Sequence, residues 1–352
     1  MVLVGLVWTL ETSAQSLSFT QVCLQPGITV DVDECGALVD LYNTTSGDSW
    51  TNNSNWGSAS VNSWFGLTVD EVGGNVLFVD LSNNGLLGIL VDTIGDLVHV
   101  QELNLTGNQL VDVIPGGIGD MAALRTLRLG ENVLVGPLPQ EIGQLSALQF
   151  LDLSNNALDG SLPASIGTLS ALHTLWIDGN ELSGSLPSAI GNATALESFF
   201  AFDNQFSGPI PDEIGRLTNL ETLLLGQNDF SGELTPCIGN LSSIDLLSIF
   251  DTQISGPLPQ SIGQLTQMTF LSLSFNELTG TIPLSWANLT NLDELQLGGN
   301  RLDRDEPGNM ATIPPPLQSW IDGIATVDLA GQRASNQPLF RDGFESPRTC
   351  RF

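Results

Sequence analysis

The chain has 352 residues, 41% of them hydrophobic, with 39 Asp+Glu against 9 Lys+Arg and a net charge of −30. Every basic residue is an arginine. So acidic a molecule repels nucleic acid and anionic lipid, which proteins grip through Lys and Arg, and the apolar content excludes wholesale disorder.

The first element is VLVGLVWTL followed by ETSAQS. An apolar run with a small-residue site near Thr12–Ala14 resembles a secretory signal peptide, here with no basic segment in front of it. The run is too short to span a bilayer, and no later apolar segment could act as an anchor. Residues 1–14 are set apart as a leader, and the protein is expected to be secreted or held at the cell surface. Residues 15–75 read as an N-terminal cap. Cys23 and Cys35 bracket a short loop there and are expected to pair in an exported protein. Ala37, Leu38, Leu41 and Tyr42 suit one face of a short helix. Trp50, Trp56, Trp64 and Phe65 follow, positioned to plug the open end of an apolar core.

From residue 76 to 316 the chain repeats. Asn84, Asn108, Asn132, Asn156, Asn180, Asn204, Asn228, Asn276 and Asn300 lie on a grid of 24 residues, with Thr252 in the remaining place. Each of these ten units carries LxLxxN or a close variant, and most continue as xLxGxLPxxIGxLxxL, of which LDGSLPASIGTLSAL at 158–172 is a clean copy. LxL alternates with period two, so it predicts a short strand with one face inward. The Asn amide both donates and accepts, so stacked units should form a buried Asn ladder, weaker at Thr252. The Leu-Pro and Ile-Gly pieces turn the chain on the opposite side. Residues 317–339 read as a C-terminal cap, with Trp320 over the core and VDL at 327–329 as a last degenerate strand. Residues 340–352 form a tail. Cys237 occupies a place otherwise held by Glu, Ser or Ala and is expected to be a free, partly exposed thiol.

These motifs resemble the leucine-rich repeat family in its plant-type form. The resemblance covers residues 76–316, and the segment before it resembles the N-terminal cap of secreted members. It implies an α/β-type repeat solenoid, a horseshoe or superhelix with one short parallel β-strand per repeat on the concave face. One unit cannot bury its own leucines; stacking does it.

LESFFAFDNQFSGPIP at 196–211 then poses a problem. Alternation sends Phe199, Ala201 and Phe206 inward but Phe200 and Phe202 onto the concave surface. The column through Phe200 reads Asp80, Asn104, Arg128, Asp152, Trp176, Phe200, Leu224, Ser248, Ser272, Gln296. It is polar, then apolar for three units, then polar again. Flanking columns add Phe250 on one side and Phe150, Leu246 and Phe270 on the other. With strands about 4.8 Å apart, these converge into one patch, rimmed by Asp178, Glu197, Asp203, Glu221 and Asp251. A contiguous apolar patch marks an interaction site, and aromatic anchors are the usual hot spots. The candidate ligand-binding residues are therefore Trp176, Phe200, Phe202, Leu224, Leu246, Phe250, Asp178, Asp203 and Asp251.

Catalytic chemistry finds little support. His99 and His173 are the only histidines, and neither lies in a nucleophile or zinc motif. DRDEPGN at 303–309 lacks calcium-loop spacing and reads as a solvated acidic loop. No cofactor or metal is expected. The sequence thus reads as a non-enzymatic binding protein for a protein or peptide ligand. One alternative is a glycan-binding wall protein similar to the polygalacturonase inhibitors, whose paired flanking cysteines this chain lacks. The other is a cell-surface adhesion or structural module.

Overall fold

A computed structural model describes residues 17–25, 30–70, 72–302, 315–330 and 350. The leader, the acidic loop at 303–309 and the tail other than Cys350 lie outside the described residues.

The inward residues at the two leucine positions of LxL are buried in every repeat, and between them the outward residue pairs its strand with the next. Among the described residues twelve strands form one sheet, from Leu67–Val69 to Thr326–Asp328 in chain order. The first pairing is antiparallel. The rest are parallel, and from Val76–Asp80 to Glu294–Gln296 each step is 24 residues, as in Thr174↔Ser198 and Ser198↔Thr222. The last step, Glu294↔Thr326, is longer because the acidic insertion intervenes. This is the expected leucine-rich repeat solenoid. Opposite the sheet, each Leu-Pro or Ile-Pro leads into a short 3-10 turn such as Ala164–Thr168 or Asp212–Arg216, whose Ile is buried.

The Asn ladder forms rung by rung. Asn180 Nδ2 donates to the carbonyls of Leu153, Ile177 and Asp178 at 3.0, 3.2 and 3.2 Å, and its Oδ1 accepts from Leu158 N at 3.0 Å. Thr252 does not leave a simple gap. Its hydroxyl donates to Asn276 Oδ1 and accepts from Ile254 N.

Two features were not anticipated. The residue before each ladder position is left-handed, with φ between 52° and 55° at Asn83, Glu131, Asn155, Asp203, Gln227, Asp251 and Phe275. Gly107, Gly179 and Gly299 fill the same place in other repeats. The sharp exit from the strand demands that conformation, which glycine and Asn tolerate better than phenylalanine. Past the ladder, the LxG residues form a second, flanking set of parallel strands. Six of these, from Ser183–Gly184 to Arg301–Leu302, make one sheet, and the early repeats contribute two further pairs.

The cap closes the N-terminal end. Helix Val32–Thr44 buries Ala37, Leu38, Leu41 and Tyr42. Tyr42, Trp50, Trp56 and Trp64 stack through centroid distances of 4.8–5.6 Å. Each indole donates to a backbone carbonyl. Phe65 does not join the plug. Its N–H and C=O are both engaged with Ser54 and Trp56, and its ring is left exposed. The buried Glu34 carboxylate ties cap to repeats by accepting from Val76 N at 2.8 Å and meeting His99 Nδ1 at 2.9 Å.

Cys23 and Cys35 are joined by a disulfide. Cys237 is neither free nor exposed: it is fully buried and bonded to Cys350, 113 residues later. Comparison with its own repeat column could not reveal this, because the partner arrives from outside the repeats. Among the described residues no cysteine is free, and no helix is long and apolar enough to cross a membrane.

Candidate functional site

The concave site is built on Phe150–Asp152, Thr174–Trp176, Ser198–Phe200 and Thr222–Leu224. Leu175, Phe199 and Leu223 fill the core, which fixes the opposite direction for their neighbours. Register then makes Asp152, Trp176, Phe200 and Leu224 successive partners across the sheet.

Rings lean together within that row. Trp176 and Phe200 stack at 5.5 Å with planes 12° apart. Phe150, two residues before Asp152 on its strand, meets Trp176 edge-on at 5.0 Å. Arg128 places its guanidinium 4.8 Å from the Phe150 centroid, a cation–π contact, while sitting 3.8 Å from Glu102. The aromatic wall thus runs Arg128, Phe150, Trp176, Phe200. Sequence reasoning placed Phe150 in a flanking column and Arg128 among the polar residues before the apolar run. It took neither as a site residue, although their column positions were the available signal.

The other candidates spread out. Phe202 and Phe250 lie in the next column, half-buried, with Gly226 between them. A side chain at Gly226 would collide with the Phe250 ring, so that ring lies back over the strand. Leu246 is half-buried and pairs with Thr222 and Phe270. No ring contact joins Phe202 or Phe250 to the wall among the described residues. Two further phenylalanines face water: Phe78, at 38%, and Phe275, at a left-handed position and 61% exposed.

Carboxylates bracket the wall. Asp178 follows Trp176 by two residues, so it shares the concave face, and it is 8% exposed. Burial pushes its carboxyl up to about 6, its own backbone N–H opposes this, and the charges of Asp152 and Asp203 add to the rise. Asp203 and Asp251 stand exposed at left-handed positions. On the other edge, Glu197, Glu221 and Asp245 are exposed in consecutive repeats. Asp251 also borders a shallow polar depression with Asn204, Gln227, Asn228, Asp229, Thr252 and Gln253. Among the described residues the buried Trp176 Nε1 has no hydrogen-bond partner.

Such a surface offers flat π faces to apolar groups and fixed negative charge to cations. No serine or threonine hydroxyl bonds either histidine ring among the described residues, and no group of His, Cys, Asp or Glu there is arranged to hold a metal.

Comparisons agree with the architecture. A family model described as a leucine-rich repeat region matches residues 98–231, and a Leucine Rich Repeat model matches 267–289. No curated protein matches the chain significantly. Among solved structures, the chain is similar to the ectodomain of the Arabidopsis thaliana receptor kinase GASSHO1/SCHENGEN3, in complex with CASPARIAN STRIP INTEGRITY FACTOR 2. Identity is 32%, covering 78% of this chain and 36% of that one, at TM-score 0.67. The ectodomain of the Arabidopsis receptor kinase HAESA, bound to an IDA peptide hormone, is 28% identical over 86% of this chain and 49% of its own, at TM-score 0.70. A plant ice-binding protein shares the fold at 23% identity and TM-score 0.67, over 88% of this chain and 100% of that one. The chain spans between about a third and a half of the two receptor ectodomains.

Proposed function

The chain is a leucine-rich repeat protein with plant-type repeats, and from that premise we propose that it is an extracellular, non-enzymatic recognition module whose concave face binds an extended peptide. The ligand carries apolar side chains beside Lys or Arg. Its apolar groups lie on Phe150, Trp176, Phe200 and Leu224; its cations meet Asp178 and Asp203 on one edge and Glu197, Glu221 and Asp245 on the other. The single observation that carries this reading is the stacked aromatic row between two acidic edges. Leu246, Phe202 and Phe250 extend the apolar floor, and Asp251 the acidic edge.

The receptor ectodomains it resembles are crystallised with a peptide hormone in one case and an integrity factor in the other, which supports peptide rather than glycan as the ligand class. Disulfides and the signal-like leader support an exported protein.

The test is a panel of short synthetic peptides combining aromatic or aliphatic residues with Lys or Arg, titrated against the protein and against Trp176→Ser/Phe200→Ser. We expect the double variant to keep its melting temperature and lose about 2 kcal/mol of binding or more. A variant that melts far lower yet binds its peptide normally would reassign these rings to structural cover.

A further inference from the structure

The flanking strands change character along the chain. In the first three repeats their outward positions are Leu87, Val111 and Val135; in the next five they are Asp159, Ser183, Ser207, Ser231 and Ser255. Ile89, Val113 and Val133 stand beside the first three. All six are exposed, Leu87 and Val133 at 51%.

Strand propensity alone does not account for them. Valine favours strands, but the longest flanking strands, Asp229–Glu233 and Gln253–Pro257, manage with serine. Nor are the six scattered. Ile89 and Val111 are register partners, while Leu87 stands two residues earlier, opposite Gln109. Val133 N donates to Leu110 O at 2.9 Å and Val135 N to Asp112 O at 3.0 Å. Leu87 N is tied to Thr45 O of the cap at 3.0 Å. The six stand on or beside hydrogen-bonded neighbouring strands and together present an aliphatic face of roughly a few hundred Å², the scale at which exposed apolar surface marks an interaction site.

Charge decides what fits it. The chain has no Lys, and its first Arg is Arg125, so the cap and the first two flanking strands carry no permanent cation. Asp112 lies inside the patch, between Val111 and Val113. Asp96, in the same segment, has its carboxyl pushed up by burial first and then by Asp33, Asp120 and Asp40. A second copy of so acidic a chain would meet like charge here, and an anionic membrane would be repelled.

We propose that this flank is a second docking surface, separate from the concave site, for a protein segment presenting aliphatic side chains beside Lys or Arg. The concave face and the flank share no residues, so one molecule can hold two partners at once.

The probe is a short synthetic peptide alternating Val with Lys, compared with one alternating Ser with Lys and one alternating Val with Glu. The variant is Leu87→Ser/Val111→Ser/Val135→Ser, which installs the residue that later repeats carry and so keeps the fold; its melting temperature verifies that. We expect the Val/Lys peptide to bind best, to footprint on residues 87–135, and to lose about tenfold or more in affinity on the triple variant. Trp176→Ser/Phe200→Ser should leave it unchanged, which separates this surface from the concave one. Equal binding of the Ser/Lys peptide, or undiminished binding by the folded triple variant, overturns the proposal. So does a dimer in sedimentation that the triple variant dissolves, since the occupant would then be a second copy.

Discussion

Replacing Thr252 by Asn should repair the ladder, and the structure allows the gain to be counted. A regular rung such as Asn180 makes three donor bonds and one acceptor bond. Thr252 instead occupies Asn276 Oδ1 and accepts from Ile254 N at 3.3 Å. By the spacing of the other rungs, the amide introduced by Thr252→Asn would donate to Leu225 O and Ile249 O and accept from Phe230 N. The change would also return Asn276 Oδ1 to Ile254 N. Two bonds are lost and four gained, a net of two at about 0.5–1.5 kcal/mol each. Ordering the longer side chain offsets part of this, leaving about 1 kcal/mol. Space exists, because Thr252 borders the open depression beside Asn228 and Gln253. Urea unfolding with Thr252→Asn and the reverse change Asn180→Thr makes the measurement symmetrical. The first should raise the midpoint, and the second should cost about 1–3 kcal/mol because it strands buried backbone groups. A neutral or destabilising Thr252→Asn beside a costly Asn180→Thr would refute the reasoning, showing that the turn around Thr252 has adapted to the hydroxyl.

Cys350→Ser should destabilise by about 4–5 kcal/mol, since Cys237–Cys350 closes a loop of 113 residues; non-reduced peptide mapping and the urea midpoint read this together. Asp178 titrates near 6 in the folded protein, above its ordinary 3.8. Its contribution to stability is fully present below the unfolded value and is lost as pH rises through about 6, so Asp178→Asn should reduce the decline between those values in a pH series of melting temperatures. A Lys-bearing concave ligand should bind more tightly above pH 6, where Asp178 is charged, and Asp178→Asn should remove that step. Phe275→Asn should stabilise by up to about 1 kcal/mol in thermal melts, because it relieves a left-handed phenylalanine.

Much of this was legible in the chain itself because a solenoid's contacts are local and periodic. The 24-residue grid determined which strands pair and at what register, and strand alternation decided that Phe199 points in while Phe200 points out. The same periodicity located the Asn ladder and brought Trp176, Phe200 and Leu224 into one row. Contacts that leave the period were decided only by tertiary structure. Cys350 returns to Cys237 from beyond the last repeat. Glu34 reaches His99 across 65 residues. Phe250 lies back over Gly226 instead of joining the wall, while Phe150 leans into it from a flanking column and Arg128 reaches that ring from two strands back in the wall's own column. Composition marked none of these, since they depend on side-chain direction and on the path of segments outside the repeat. The aliphatic flank lies between the two cases: its residues are plain in the sequence, but only the second set of strands, unforeseen from the LxG pattern, turns them into a surface.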